Sequence, residues 1–408
     1  MSSVETRVFN ELEQRLDPSH APRWIESSPL RVEDLEELFD GRSGSTIGLE
    51  EELMLLDPET MEVSPSAELV FDLLAGDDRF APELRQGQIE IRTPVCGNAV
   101  AAALCLADSI LSLGDRLAGR LVIASSGTHP FSSAWGDITR GPRYRKLAAE
   151  FPHAAHGHLP SGLHVHVAVA GAHRALAVYN AARSFLPELT ALAANSPFLD
   201  GEDTGLASAR SQLTLASHRS GVPPAFASWQ AYVELVEWGR QGGVFPDASH
   251  LWWDLRPHPQ FGTLELRCPD SQTRVEDAAA VAALFQCLLV WLAGRYDEHE
   301  KLAVHDTSRI AENVWRASRY GTRGYMVDPV TGEQEETRSR IGRLLEALEP
   351  TASRYGTSWA LLTASTLLAD NGADRQRYVA AEHGLDGLAR WLADETVSSA
   401  QGYLERRA

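Results

Sequence analysis

The residues best suited to chemistry are acids set inside apolar runs. From Thr46 to Asp57 the chain reads TIGLEEELMLLD, three consecutive glutamates among Ile, Leu and Met. As a β-strand this run alternates its side chains, so Glu50 and Glu52 share one face while Leu49, Glu51, Leu53 and Leu55 share the other. Two carboxylates one pleat apart on a half-buried surface repel and resist desolvation, and a divalent cation between them relieves both effects. For the triplet alone, a solvated acidic helix face is the simpler alternative. Further segments repeat the strand pattern. Gln88, Glu90 and Arg92 alternate with Ile89 and Ile91. His164 and His166 alternate with Leu163, Val165 and Val167, and Thr263, Glu265 and Arg267 alternate with Leu264, Leu266 and Cys268. Carboxylates gathered with an imidazole suit Mg²⁺ or Mn²⁺ better than Zn²⁺. Arg92, Arg210, Arg256 and Arg267 would supply charge for phosphate oxygens or a substrate carboxylate. Acids on several strands plus arginines point to metal-assisted phosphoryl chemistry. That chemistry needs no side-chain nucleophile, and the chain carries neither a G-x-S-x-G motif nor a Walker A sequence.

The elements that must position these groups alternate in type along the chain. Helical spacing is expected over residues 5–17 and 31–40, as an appendage before the first acidic strand. A short helix is expected over Ala67–Leu74, a strand over Gln86–Thr93, a buried helix over Asn98–Arg120 and a short strand over Leu121–Ser125. Helices follow over Arg143–Phe151, Ala172–Ala194 and Ala227–Gln241, and a hairpin over Leu251–Pro269. From Val275 onward the pattern is helical throughout, with Asn313, Arg316 and Arg319 or Tyr320 on one polar stripe. With 408 residues, 44% of them hydrophobic, and no internal repeat, one compact α+β unit is expected. The net charge of −19 argues against nucleic acid and anionic membrane surfaces as partners. Four scattered cysteines read as reduced core residues, and no signal-like or eighteen-residue uncharged apolar segment occurs, so a cytoplasmic location is expected. Association as a homodimer is the remaining partner expectation.

The ordered set GLEEEL (48–53), ELRQGQIEIRTP (83–94), GTHPF (127–131), GLHVHV (162–167), ANSPF (194–198), WWDLRPHPQFGTLELRCPDSQT (252–273) and NVWRASRYG (313–321) resembles the carboxylate-amine ligase family, the type 2 glutamate-cysteine ligases. The resemblance covers residues 45–325, leaving helical regions 1–44 and 326–408 outside its motifs. It implies a fold like that of glutamine synthetase and the guanido kinases: a curved, mainly antiparallel sheet with helices on the convex face. It also implies that Glu50, Glu52, Glu83, Glu90, His164 and Glu265 hold Mg²⁺ or Mn²⁺. By the same resemblance Arg267 and Arg210 are catalytic, facing the transferred phosphoryl group or substrate, and Arg256, His166 and Arg319 contact ATP. The implied reaction activates a carboxylate, expected to be that of glutamate, as an acyl phosphate for attack by an amine, expected to be cysteine. Acceptor choice is expected to rest on the loops Phe131–Pro142, Pro152–Pro160 and Leu199–Thr204. A metal-dependent amide or phosphate hydrolase and a non-catalytic metal or nucleotide binder stand as alternatives, since acidic strands with HxH serve those purposes too.

Overall fold

Alternating apolar and polar residues produce seven strands in one sheet: β1 (Ile47–Leu56), β2 (Phe80–Pro82), β3 (Gln88–Arg92), β4 (Val122–Ala124), β5 (Leu163–Ala168), β6 (Leu255–His258) and β7 (Thr263–Leu266). The structure, a computed structural model, describes residues 28–74, 76–132, 138–151, 157 and 160–406, so the helix expected over residues 5–17 lies outside the described residues. The strand order is β6-β7-β5-β1-β3-β2, with every pairing antiparallel. β1 is long enough to pair with β5 through Ile47–Glu51 and with β4 through Met54–Leu56. Gly262 turns the β6–β7 hairpin at φ 58, and a Cβ there would lie 2.8 Å from Arg42 Nε. That combination of left-handed backbone and close approach suits glycine.

One sheet face is apolar and carries the helices. Leu49, Leu53, Ile89, Ile91, Val165, Val167, Leu264 and Leu266 are all buried in one core. Each such side chain contributes roughly 1.5–3 kcal/mol by leaving water. Ala99–Leu117 packs on β1 and β3, and Val275–Asp297 packs on β5. The second helix is long and apolar enough to cross a membrane, yet 78% of its apolar window is buried inside the fold. It is the helix around which other helices pack, including Ala99–Leu117, Ala172–Ala182, Thr337–Tyr355 and Ser358–Leu367.

Four expectations need correction. The helix expected over Ala172–Ala194 ends at Ala182, passes through a 3₁₀ turn and restarts as Leu186–Leu192, where Pro187 sits in the first turn and cannot continue the preceding hydrogen-bond ladder. The region after Val275 is not helical throughout, because β8 (Tyr325–Val327) pairs with β9 (Gln334–Glu336). Asn313 belongs to no solvated stripe: it is 3% exposed and exchanges hydrogen bonds with the Val327 backbone at 2.7 and 2.8 Å, anchoring that hairpin. Nor is Val32–Asp40 an appendage, since Leu35 and Phe39 are fully buried and Phe39 stacks on Trp229 at 5.1 Å. Of the expected acceptor loops, Leu199–Thr204 turns a small hairpin of Phe198–Leu199 with Glu202–Asp203, while residues 133–137, 152–156 and 158–159 of the other two lie outside the described residues.

Candidate active site

The second face of the sheet gathers the acids. Strand register sets Arg256 opposite Glu265, Glu265 opposite His166, and His166 opposite Gly48. The next row pairs His164 with Glu50 and Glu50 with Arg92, and the row beyond pairs Glu52 with Glu90. Glu83 joins them from the segment between β2 and β3. A cavity of about 500 Å³ covers the side chains of Glu50, Glu52, Glu83, Glu90, His164 and Glu265, rimmed by Arg92, Arg143, Tyr144 and Phe261. Its aromatic edge is ordered: His258 and Phe261 stack at 4.2 Å, and His166 meets both edge-on. A second cavity of about 250 Å³ shares Glu52, Glu83, His164 and Arg267 and extends to Arg210 and Asp254.

Electrostatics divide the acids into two sets. Burial opposes ionisation of Glu50, but His164 and His166 together outweigh it and hold its carboxyl well below the usual range. The imidazole atoms stand close: His164 Nδ1 at 3.4 Å from Glu50 Oε2, His164 Nε2 at 3.7 Å from Glu52 Oε1, and His166 Nε2 at 3.6 Å from Glu50 Oε1. Burial lowers His164 to about 4, with Arg267 adding to the effect. Glu52, Glu83 and Glu90 form the second set. Burial pushes Glu52 up to about 7 against the pull of Arg210, and the Glu90 charge adds to the rise. Burial also lifts Glu83 well above the carboxylate range, reinforced by the charges of Glu90 and Glu52.

These groups fit a divalent cation. Three sets of ligand atoms each lie within 4.8 Å of one another: Glu50, His166 and Glu265; Glu50, Glu90 and His164; Glu52, Glu83 and Glu90. Shared Glu50 and Glu90 link the three. The oxygen-rich composition suits Mg²⁺ or Mn²⁺. Among the described residues His166 Nε2 is buried without a hydrogen-bond partner, a ligand atom that a cation would satisfy. The six residues expected to hold metal are therefore brought together, and His166, expected to contact ATP, lies beside them as a further candidate ligand.

The arginines distribute differently from expectation. Arg256 is occupied: Nε and Nη2 donate to Glu265, and Nη1 donates to the Ser249 and Leu251 carbonyls. With all three nitrogens engaged on protein, Arg256 positions Glu265, and it also lines the larger cavity. Arg267 also donates to Glu265 and lines both cavities. Glu265 is thus a cation candidate already gripped by two guanidinium groups, which hold its carboxyl well below the usual range against the cost of burial. Arg210 reaches the smaller cavity while donating to the Cys268 and Arg267 carbonyls, each at 3.2 Å. Arg319 is not brought to either cavity. It lies against the Asp203–Gly205 turn and over the Tyr320 ring, at the far end of its helix.

Sequence reasoning missed Asp254, which lines the smaller cavity beside Arg210 and Arg267. Its signal is present in WWDLRPHP, where period two puts Asp254, Arg256 and His258 on one face. Also missed was the structural use of Glu51, which points to the opposite side and accepts from Ser125 Oγ, Ser271 Oγ and Gln272 N.

Comparison with known proteins gives the family and the fold. The family model described as glutamate-cysteine ligase family 2 matches residues 46–395, running past the last motif into the C-terminal helices. A protein of Rubrobacter xylanophilus provisionally named glutamate–cysteine ligase 2-3 is 39% identical over 373 residues, covering 89% of this chain and 100% of the relative. A similarly named protein of Sorangium cellulosum is 36% identical, covering 84% of this chain and 93% of the relative. Among solved structures, the glutamate–cysteine ligase of Francisella tularensis in complex with AMP superposes with a TM-score of 0.63 at 12% identity, covering 89% of each chain. A bifunctional glutathione synthetase from Pasteurella multocida gives 0.65 at 15% identity over 92% of this chain and 54% of its own. At those identities the likeness is one of fold: mixed helices on an antiparallel sheet. Sequence and fold together make the class plain, a carboxylate–amine ligase. Within that class the chain belongs to glutamate–cysteine ligase family 2.

Proposed function

We propose that the protein is an ATP- and Mg²⁺-dependent ligase that joins the γ-carboxylate of glutamate to the amino group of cysteine through an acyl phosphate. The observation that carries this reading is the linked cation sets Glu50–Glu90–His164 and Glu52–Glu83–Glu90 beside Arg267 in one cavity. A carboxylate's leaving group is oxide, so amide formation needs prior phosphorylation. A divalent cation at these acids would supply charge against phosphate oxygens. Arg267, held in place by Glu265, presents a planar guanidinium to charge spread over a transferring phosphoryl group. The names of the relatives favour glutamate and cysteine as substrates. Burial pushes Cys96 up to about 12 and Cys287 up to about 11, and raises Cys268 as well, which disfavours thiolate chemistry at these three residues.

The test is incubation with ATP, Mg²⁺, glutamate and a panel of amines including cysteine, read by nucleotide analysis and mass spectrometry. ADP, phosphate and a γ-glutamyl product are expected, dependent on all components. AMP as product, or full turnover in EDTA, overturns the acyl-phosphate scheme. A glutamyl product formed with a different amine keeps the reaction and changes the acceptor.

A further inference from the structure

The smaller cavity contains two charged groups that the protein itself leaves incompletely satisfied. The carboxylate of Asp254 is partly open to the cavity and, among the described residues, accepts no hydrogen bond and forms no ion pair. Burial pushes it up to about 6 although Arg210 and Arg267 pull the other way, so these guanidinium groups are near without closing on it. Asp254 also belongs to none of the three cation sets. Beside it stands Arg210, 5% exposed, with Nη1 and Nη2 on backbone carbonyls and Nε buried without a partner among the described residues. Its place is fixed by Gly162, where a Cβ would come within 2.1 Å of Arg210 Nη2.

An unpaired acid and an incompletely used guanidinium on one wall, each costly to bury alone, are complementary to a ligand carrying both charges on neighbouring atoms. The ammonium and carboxylate of an α-amino acid have that arrangement. The same cavity of about 250 Å³ ends at Glu52, Glu83 and His164, so a side chain extending from such a head group would run toward the cation sets.

We infer that Asp254 and Arg210 clamp the zwitterionic head of the amino-acid substrate, Asp254 taking the α-ammonium and Arg210 the α-carboxylate, so that the distal carboxylate faces the cation-holding acids. The identity of the amino acid as glutamate rests on the ligase reading; the clamp itself is a matter of binding. Asp254 and Arg210 then determine which carboxylates enter. Glutarate lacks the ammonium and 4-aminobutanoate lacks the α-carboxylate, and loss of one charge-assisted contact weakens binding by about 10- to 100-fold.

Calorimetric titration of glutamate, glutarate and 4-aminobutanoate into the full chain with Mg²⁺ and no ATP tests this. Wild type is expected to bind glutamate at least about 10-fold tighter than either analogue. Asp254→Asn is expected to lose the preference over glutarate because glutamate and 4-aminobutanoate, which both carry the ammonium, weaken together while glutarate does not, so that discrimination against 4-aminobutanoate is kept. Equal binding of all three by wild type, no binding of glutamate, or an unchanged glutamate-to-glutarate ratio in Asp254→Asn overturns the clamp. If that variant does not fold, the wild-type ratios decide. ATP turnover in the same preparations separates the two proposals: glutamate selected through Asp254 without ADP formation keeps the clamp and removes the ligase, and glutamate-dependent ADP formation with an unchanged Asp254→Asn ratio does the reverse.

Discussion

Arg256 and Glu265 face each other across β6 and β7, and the guanidinium grips the carboxylate at two points, Nε to Oε2 at 2.6 Å and Nη2 to Oε1 at 3.1 Å. Glu265 is 0% exposed and Arg256 8%. A pair this deep is held less for its own net energy than because either partner alone would be stranded.

Arg256→Ala leaves Glu265 with Arg267 as its remaining guanidinium partner and should cost about 3–5 kcal/mol of stability. Arg256→Lys keeps the charge without the planar fork and should cost less than half of that. Urea denaturation of both variants measures the difference. Equal losses would show that charge without the bidentate geometry contributes nothing to holding the strand pair.

The glutamate triplet should split by face. Glu52→Gln removes a cation candidate and should abolish the rise in Tm that Mg²⁺ gives to wild type, an effect of about 2.7 kcal/mol at a hundredfold excess over Kd. Glu51→Gln should leave the Mg²⁺ response in place. It should cost about 1–3 kcal/mol, because Oε1 already accepts three hydrogen bonds and an amide nitrogen at the unpartnered Oε2 position would be buried unsatisfied. Loss of the Mg²⁺ response in Glu51→Gln rather than Glu52→Gln would reverse the face assignment.

Gly162→Ala places a methyl in the space of the Arg210 guanidinium. Overpacking of this kind costs about 1–3 kcal/mol, and turnover should fall as Arg210 is displaced. A double-mutant cycle with Arg210→Ala should show coupling above about 0.5 kcal/mol, since the second change removes the clash. Strict additivity would place the effect of Gly162→Ala elsewhere.

His129 gives a pH dependence of stability. Its Nδ1 accepts from Phe131 N and Ser132 N, so the proton sits on Nε2 and is donated to the Met61 carbonyl at 2.8 Å. Burial lowers the imidazole to about 4. The unfolded chain therefore binds a proton through about pH 6.5 that the folded chain refuses until about 4, and stability falls as pH falls across that window. The contribution is of order 3 kcal/mol. His129→Gln should flatten this part of the profile in denaturation series from pH 7 to 4; an unchanged slope would assign it to another group.

The sequence by itself determined which residues share a face. Period two is a local property of an extended chain, so Glu50 with Glu52, Glu90 against Ile89 and Ile91, His164 with His166, and Glu265 with Arg267 were readable, and the structure keeps every one of these alternations. The acids proposed to hold a cation were legible for that reason, and because ordered motifs resembled a family. Only the tertiary structure decided which strands are neighbours. Placing β5 between β1 and β7 brings His166 opposite Glu265 from residues far apart in the chain, and no local pattern encodes that adjacency. The same long-range pairing commits Arg256 to Glu265, leaves Asp254 on the cavity wall without a partner among the described residues and carries Arg319 to the Asp203–Gly205 turn. A guanidinium looks alike in sequence whether it meets a ligand or a buried carboxylate. Which of the two it meets depends on the groups that folding places within a few ångströms, because charge interactions are settled by distance and desolvation rather than by position along the chain.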